Sequence, residues 1–413
     1  MENIPTVSHY LWQRLPLMIM FVNGYLIYRL LVVTDLTEVF VFRVLQYCRN
    51  NIGLLFFFII VASALLSFFI PNTITVLTLL PVLKTIDTDI GVQTGHRLTT
   101  ALTLSVIYGA NIGGMGSLIG SPANLLLIGE LDLYAVPGRY QISFFNWFLW
   151  SVPLVAFLII AAWGVIAFGA VPHGLRGARF RIGKSVCETD LTGAQRRGGS
   201  MFAVFLLFWS SDALLREIFP GFAVYEPAVC IGFFGCFCRM AFYGKDPMGN
   251  GPLLRLADLV RDFPRRGILF LGLLVALILA ARLFHADRQV SDIFLKMVDG
   301  QTSRFGVIFI TVTTVIFLTE LFSNTVVSTA FFPVAYFTSA DHGISPLILM
   351  IAVSVASTCA FMTPVATPCN ALAFGEMKGT SLGRMIVLGI ILNGFTALVM
   401  SAWLQFAVPR VYG

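Results

Sequence analysis

Pro71-Asn72-Thr73-Ile74-Thr75-Val76-Leu77-Thr78-Leu79-Leu80-Pro81-Val82 and Ser323-Asn324-Thr325-Val326-Val327-Ser328-Thr329-Ala330-Phe331-Phe332-Pro333-Val334 are two versions of one stretch. In both, an Asn-Thr pair stands nine residues before a Pro-Val pair, inside otherwise apolar sequence. A polar dipeptide at membrane depth is expensive unless something binds it. One such pair reads most simply as glue between helices. Two in matching positions read as the two halves of a solute site.

Composition sets the solvent. Of the 413 residues, 57% are hydrophobic and 12% charged, with a mean hydropathy of +0.86. A soluble domain carries about a quarter charged residues. Apolar runs at 53–70, 143–170 and 267–281 match the roughly 20 residues that a spanning helix needs. The chain therefore reads as an all-α polytopic membrane protein. Its net charge of +6 then points to no nucleic-acid partner; excess Lys and Arg mark cytoplasmic loops instead. The first ten residues are polar, lack Lys and Arg, and show no cleavable secretory signal. The seven cysteines read as small reduced thiols, since Cys236-Phe237-Cys238 has the wrong spacing for a CxxC site.

Residues 11–33 can span the membrane, and 35–51 read as an amphipathic interfacial helix. Residues 53–70 stop at Pro71, and a second apolar segment covers 74–82 before Lys84. Those lengths fit a re-entrant helical hairpin better than two full spans. Residues 96–109 lead into the Gly-rich stretch 110–124, where a membrane helix is expected to break. Breaks at that depth are tolerated where they line a cavity. A full span follows at 143–170, then a basic loop at 171–200, spans at 201–215 and 223–242 parted by a turn near Pro220, and a second basic loop at 245–266. The positive-inside rule makes both loops cytoplasmic. Residues 267–283 cross outward, 304–336 form a second hairpin, 346–377 a second broken helix, and 385–407 the last span. By this count the first hairpin enters from the cytoplasm, the second enters from outside, and the C-terminus lies outside.

The halves agree further. Ser121-Pro122-Ala123-Asn124 answers to Thr367-Pro368-Cys369-Asn370, and each Asn is followed five residues later by Gly-Glu, at Gly129-Glu130 and Gly375-Glu376. Inverted repeats, each with a re-entrant hairpin and a broken transmembrane helix, point to a secondary transporter with its site at the midplane.

Thr319-Glu320-Leu321-Phe322-Ser323-Asn324-Thr325, Pro364-Val365-Ala366-Thr367-Pro368-Cys369-Asn370 and Ile119-Gly120-Ser121-Pro122-Ala123-Asn124 resemble the signature motifs of the divalent anion:sodium symporter family, within the ion transporter superfamily. The resemblance runs from about residue 35 to the C-terminus. It implies a homodimer in membrane lipid, a fixed scaffold and a transport domain moving as an elevator. It implies a small anionic substrate (a di- or tricarboxylate such as citrate, or sulfate), with sodium ions and no organic cofactor. A first sodium site would use Ser67, Asn72 and Gly120. A second would use Thr319, Asn324 and the carbonyls of Phe322 and Ala366. Substrate would meet Asn72, Thr73, Ser121 and Pro122 from one half, and Asn324, Thr325, Thr367 and Pro368 from the other.

On this reading residues 1–34 are an N-terminal scaffold helix and 35–171 the first repeat. Residues 172–200 are a cytoplasmic loop, 201–284 scaffold helices with the second basic loop, and 285–413 the second, inverted repeat. Two departures stand out. Pro71 replaces the Ser usual in the family, removing one side-chain ligand of the first sodium site. One spanning helix precedes the first hairpin where the family has several.

The chemistry of the residues agrees. Each break exposes a helix N-terminus carrying about half a positive charge and unpaired N–H groups, suited to an anion. Freed carbonyls with Thr and Ser hydroxyls make a hard oxygen site for an alkali cation. No Arg, Lys or His lies in either motif, and Lys84 is about 18 Å along a helix from Asn72. Helix dipoles worth about 0.3–2 kcal/mol each are small against the desolvation of a dianion. Co-bound cations make up the shortfall.

The alternative kept open is an anion exchanger, or an arsenite or sodium/proton carrier, on the same architecture. An intramembrane enzyme would need a nucleophile with its base or a metal cluster within membrane depth, and the sequence offers neither HExxH nor paired acids. Glu320, the sole acid inside a motif, reads as a hydrogen-bonded group or a proton-coupling one.

Overall fold

Proline and its neighbours decide where the helices start and stop. The computed structural model describes residues 7–48, 51–94, 98–176, 191–244, 251–260 and 302–412. All the elements described there are helical: α1 (Val7–Val33), α2 (Leu36–Gln46), α3 (Ile52–Ser67), α4 (Asn72–Thr94), α5 (Thr99–Gly114), α6 (Pro122–Leu133), α7 (Phe144–Gly169), α8 (Gly193–Ile218), α9 (Glu226–Tyr243) and α10 (Leu256–Val260). After residues 261–301 come α11 (Arg304–Thr319), α12 (Asn324–Asp341), α13 (Pro346–Ala356), α14 (Pro368–Glu376), α15 (Leu382–Phe406) and α16 (Val408–Tyr412). Among the described residues, Arg14–Val33, Phe144–Gly169 and Leu382–Tyr412 are long and apolar enough to cross a membrane. The expected crossing at 267–283 and parts of both basic loops, 177–190 in the first and 245–250 with 261–266 in the second, lie outside the described residues.

The helices fall into two compact units. The first draws on Met1–Val39, Ser143–Asn146 and Glu188–Pro264. In it α1 packs against α8, α9 and α10, and the Tyr25 hydroxyl donates to the Leu259 carbonyl at 2.8 Å. The rings of Phe208 and Phe233 stack at 3.7 Å between α8 and α9.

The second unit draws on Phe40–Ile142, Trp147–Cys187 and Arg265–Gly413, and it holds both Asn-Thr stretches. Its plan is used twice. Helices α3 and α4 pack as a hairpin around 68–71, and α11 and α12 do so around 320–323. Then α5, a break and α6 are matched by α13, a break and α14. Across the halves the partners exchange: α4 packs on α14, and α12 packs on α6.

Several boundaries differ from expectation. Helix α4 runs on past Lys84 to Thr94, because Pro81 only removes one N–H and frees the Leu77 carbonyl instead of ending the helix. Helix α5 continues through Gly113-Gly114. A Cβ on Gly109 would lie 2.6 Å from the Ile60 carbonyl, and Gly113 sits tighter still against Ala64. The helical cost of glycine, about 1 kcal/mol each, is offset by that close contact with α3. Helix α13 ends at Ala356, seven residues before the expected interruption at Thr363.

Candidate functional site

Four helices of the second unit begin at one cavity. They are α4 at Asn72, α6 at Pro122, α12 at Asn324 and α14 at Pro368. Ser121, Ser323 and Thr367 cap three of them, accepting from the N–H groups of Ala123 (3.3 Å), Val326 (3.4 Å) and Asn370 (3.2 Å). Pro71 has no side-chain oxygen to offer. Its carbonyl instead accepts from Ile74 and Thr75 N–H at 2.9 and 3.1 Å.

The cavity has a volume of about 310 Å³ and is lined by Pro71, Asn72, Thr73, Gly120, Ser121, Pro122, Ser323, Asn324, Thr325, Ala366, Thr367, Pro368 and Cys369. That volume is at the small end of ligand pockets. All eight residues expected to meet substrate are thus brought together, with Gly120 and Ala366 beside them. Ser67, Thr319 and Phe322 do not line it. None of the lining side chains carries a charge; polarity there comes from amides, hydroxyls and helix ends.

Oxygens crowd the first half of the site. The Ser67 hydroxyl donates to Asn72 Oδ1. A Cβ on Gly120 would lie 2.7 Å from the Gly114 carbonyl oxygen and 3.0 Å from that of Ser67. A Cβ on Gly114 would lie 3.2 Å from Asn72 Oδ1 and 3.5 Å from the Gly120 oxygen. Only glycine leaves such a cradle open, and its neutral oxygens fit an alkali cation. In the second half, Asn324 Oδ1 is buried with no hydrogen-bond partner. A buried acceptor without a donor is costly, and a cation would satisfy it. The buried Thr319 hydroxyl bonds to the Val315 carbonyl at 2.7 Å, whereas the Phe322 ring is exposed.

The two breaks are held by the same bonds. Asn124 Nδ2 donates to the carbonyls of Gly114 (3.3 Å) and Ser117 (2.7 Å). Asn370 Nδ2 donates to those of Ala360 and Thr363, both at 2.9 Å. The Ser117 hydroxyl reaches the Phe68 carbonyl, and the Thr363 hydroxyl reaches the Glu320 carbonyl at 2.7 Å. Each break residue and its counterpart, such as Ser117 and Thr363, stand 246 positions apart.

Three groups escaped the sequence reading. Asn111 accepts from Asn72 Nδ2 (3.2 Å) and donates to the Ala360 carbonyl (2.7 Å) and Asn370 Oδ1 (3.0 Å). The Ser354 hydroxyl donates to Asn124 Oδ1 at 2.8 Å. Asn393 donates to Glu320 at 2.8 Å. A lone amide in an apolar helix was the available signal for Asn111. At the rim of a second cavity, Lys84 and Glu376 pair at 2.7 Å with both side chains about half exposed.

Residues 4–298 match the citrate transporter family, CitMHS. The chain belongs to that family. It is a transporter and not an enzyme, and the likeness of its motifs to the divalent anion:sodium symporters holds at the level of the family. The sodium-dependent dicarboxylate transporter SdcS of Staphylococcus saprophyticus subsp. saprophyticus is 27% identical over 386 residues, covering 90% of this chain and 72% of that protein. SdcS of Staphylococcus aureus strain USA300 is 25% identical over 370 residues, with coverages of 86% and 69%. An uncharacterized transporter of Haemophilus influenzae is 23% identical over 382 residues, covering 92% and 78%. Family membership and the long apolar helices make this an integral membrane protein.

Proposed function

We propose that this chain couples the inward movement of sodium to the uptake of a small di- or tricarboxylate across a bacterial cytoplasmic membrane. The observation that carries the reading is the uncharged cavity at which four helix N-termini meet, flanked by an oxygen cradle and by the unpartnered Asn324 Oδ1. Helix ends favour the carboxylates, oxygens favour sodium, and neither compensates the other's charge without both bound. The names of the SdcS relatives point the same way.

In this reading Asn72, Thr73, Ser121, Pro122, Asn324, Thr325, Thr367 and Pro368 meet the anion. Ser67, Asn72 and Gly120 hold one sodium ion; Thr319, Phe322, Asn324 and Ala366 hold another. The paired hairpins and breaks are inverted repeats, and the unit carrying them moves as an elevator within a homodimer whose C-termini face outward. Residues 1–34 and 201–284 serve as scaffold, 35–171 and 285–413 as the repeats, and 172–200 as a cytoplasmic loop.

Pro71 favours a second reading, in which the first cation site is weak and the protein exchanges anions. Uptake of labelled succinate, citrate and sulfate into proteoliposomes, with and without a sodium gradient, separates the two. Gradient-driven accumulation is expected; uptake indifferent to sodium sinks symport and leaves exchange.

A further inference from the structure

Helices α4 and α14 start at the same cavity and pack along each other. Farther along, Lys84 Nζ meets Glu376 Oε2 at 2.7 Å, with both side chains about half exposed. Glu376 is the last residue of α14, so the pair ties that helix to α4 at the end away from the cavity. The pair borders a second cavity of about 480 Å³, lined among others by Lys84, Asp87, Thr88, Thr99, Glu376 and Lys378.

Asp87 is only 6% exposed. Its Oδ2 accepts from the Thr99 hydroxyl at 2.8 Å, whereas Oδ1 is buried with no hydrogen-bond partner. A buried carboxylate oxygen without a donor is costly. Asp87 stands three residues after Lys84 on α4, the spacing that puts two side chains on one helix face. The ammonium that pairs with Glu376 can therefore also reach Asp87, within the cavity that both residues line.

The matching seam of the other half is built differently. Tyr336 stands as far past Asn324 as Lys84 past Asn72, and Ser339 takes the place of Asp87. The Tyr336 ring stacks on Tyr134, just after α6, at 4.5 Å. The Ser339 hydroxyl is satisfied by the Tyr336 carbonyl at 2.6 Å. Packing α12 on α6 thus takes neither Lys84 nor Asp87 in its counterpart positions. An exposed ion pair stabilises little, and a buried carboxylate short of a donor destabilises, so these charges do more than hold helices together.

We propose that Lys84 is a two-position latch. On Glu376 it fastens α14 to α4. On Asp87 it satisfies the buried oxygen, leaves Glu376 to water and Lys378, and frees the far end of α14. The freed helix swings away from α4 and opens the cavity at its start, where Cys369 is 1% exposed. Because the exposed pair is weak, the two positions lie close to balance, as exchange between two populated states requires. The latch governs access to the cavity and goes beyond the transport reading, since it acts whichever anion and cation are carried.

The labelling rate of Cys369 by methyl methanethiosulfonate tests it. The purified full chain, with its other cysteines replaced, is held in detergent and choline chloride at constant ionic strength, without substrate. Asp87→Asn removes the second position, and labelling is expected to slow about threefold or more. Glu376→Gln removes the first, and labelling is expected to quicken by a similar factor. With both substitutions the fast rate returns, because Lys84 then holds nothing on α14. If Asp87 is merely structural, Asp87→Asn labels at the parent rate or faster, and that overturns the proposal. So does a double variant as slow as Asp87→Asn alone. An unchanged rate in Glu376→Gln overturns it by itself, which keeps the test decisive if Asp87→Asn does not fold. None of these rates needs transport, so uptake that ignores sodium removes symport and leaves the latch standing.

Discussion

Asn111 on α5 and Asn370 at the start of α14 share a 3.0 Å hydrogen bond across 259 residues of sequence. Asn111 also meets Asn72, so one amide touches the first cation cradle and the bond network of the second break. Replacing it with Ala takes the acceptor from Asn72 Nδ2 and leaves the Ala360 carbonyl with one donor, Asn370 Nδ2, where it had two. Asn111→Ala is expected to lose about 1–3 kcal/mol of stability, measured by denaturant or thermal unfolding in detergent, and to lower uptake per folded molecule. Unchanged stability would mean that the network is idle.

Asn324 gives a prediction of opposite sign. Its Oδ1 is buried and unpartnered, so deleting it removes a penalty from the cation-free protein. Asn324→Ala is expected to melt no lower than wild type in choline chloride, yet to lose the stabilisation that sodium confers. A large drop in melting temperature without sodium would show that the amide is held by protein groups.

Restoring a hydroxyl at the first hairpin tests what Pro71 costs. Ser323 caps α12; a Ser at 71 can cap α4 in the same way and add an oxygen near the cradle. A cap is worth about 0.5–2 kcal/mol. Pro71→Ser is expected to lower the sodium concentration for half-maximal uptake several-fold. An identical sodium dependence would remove Pro71 from the account of the first site.

Cys369 reports on occupancy. It lines the cavity at 1% exposure, with Sγ 3.1 Å from the Thr367 hydroxyl. In a chain whose other cysteines are replaced, a small methanethiosulfonate should label Cys369 slowly. Succinate with sodium should slow it further, by about tenfold at an [L]/Kd near ten. Labelling indifferent to substrate would place the anion elsewhere.

Much of the site could be read in one dimension because its parts are local. An Asn-Thr pair after a break and a Ser-Pro or Thr-Pro at a helix start are each decided by neighbouring backbone, and all of them reach the cavity. What escaped depends on distant contact. Asn111 and Ser354 matter through partners 230 residues or more away, and Glu320, expected to be hydrogen-bonded, finds its donors in a loop 41 residues downstream. Gly113 was read as a breaker because its compensation, the backbone of Ala64, belongs to another helix. Lys84 looked like the end of a hairpin, yet it lies mid-helix and pairs with Glu376.

The exchange of α4 onto α14 and of α12 onto α6 means that neither half is self-sufficient. A polypeptide holding only the first half would leave the apolar flanks of α4 and α6 bare, with just the surface that the second half covers. Two such fragments made together have complementary faces, and each is the other's missing layer. Change is constrained accordingly: a substitution on α4 is compensated on α14, in the opposite half, sooner than on the neighbouring helix of its own.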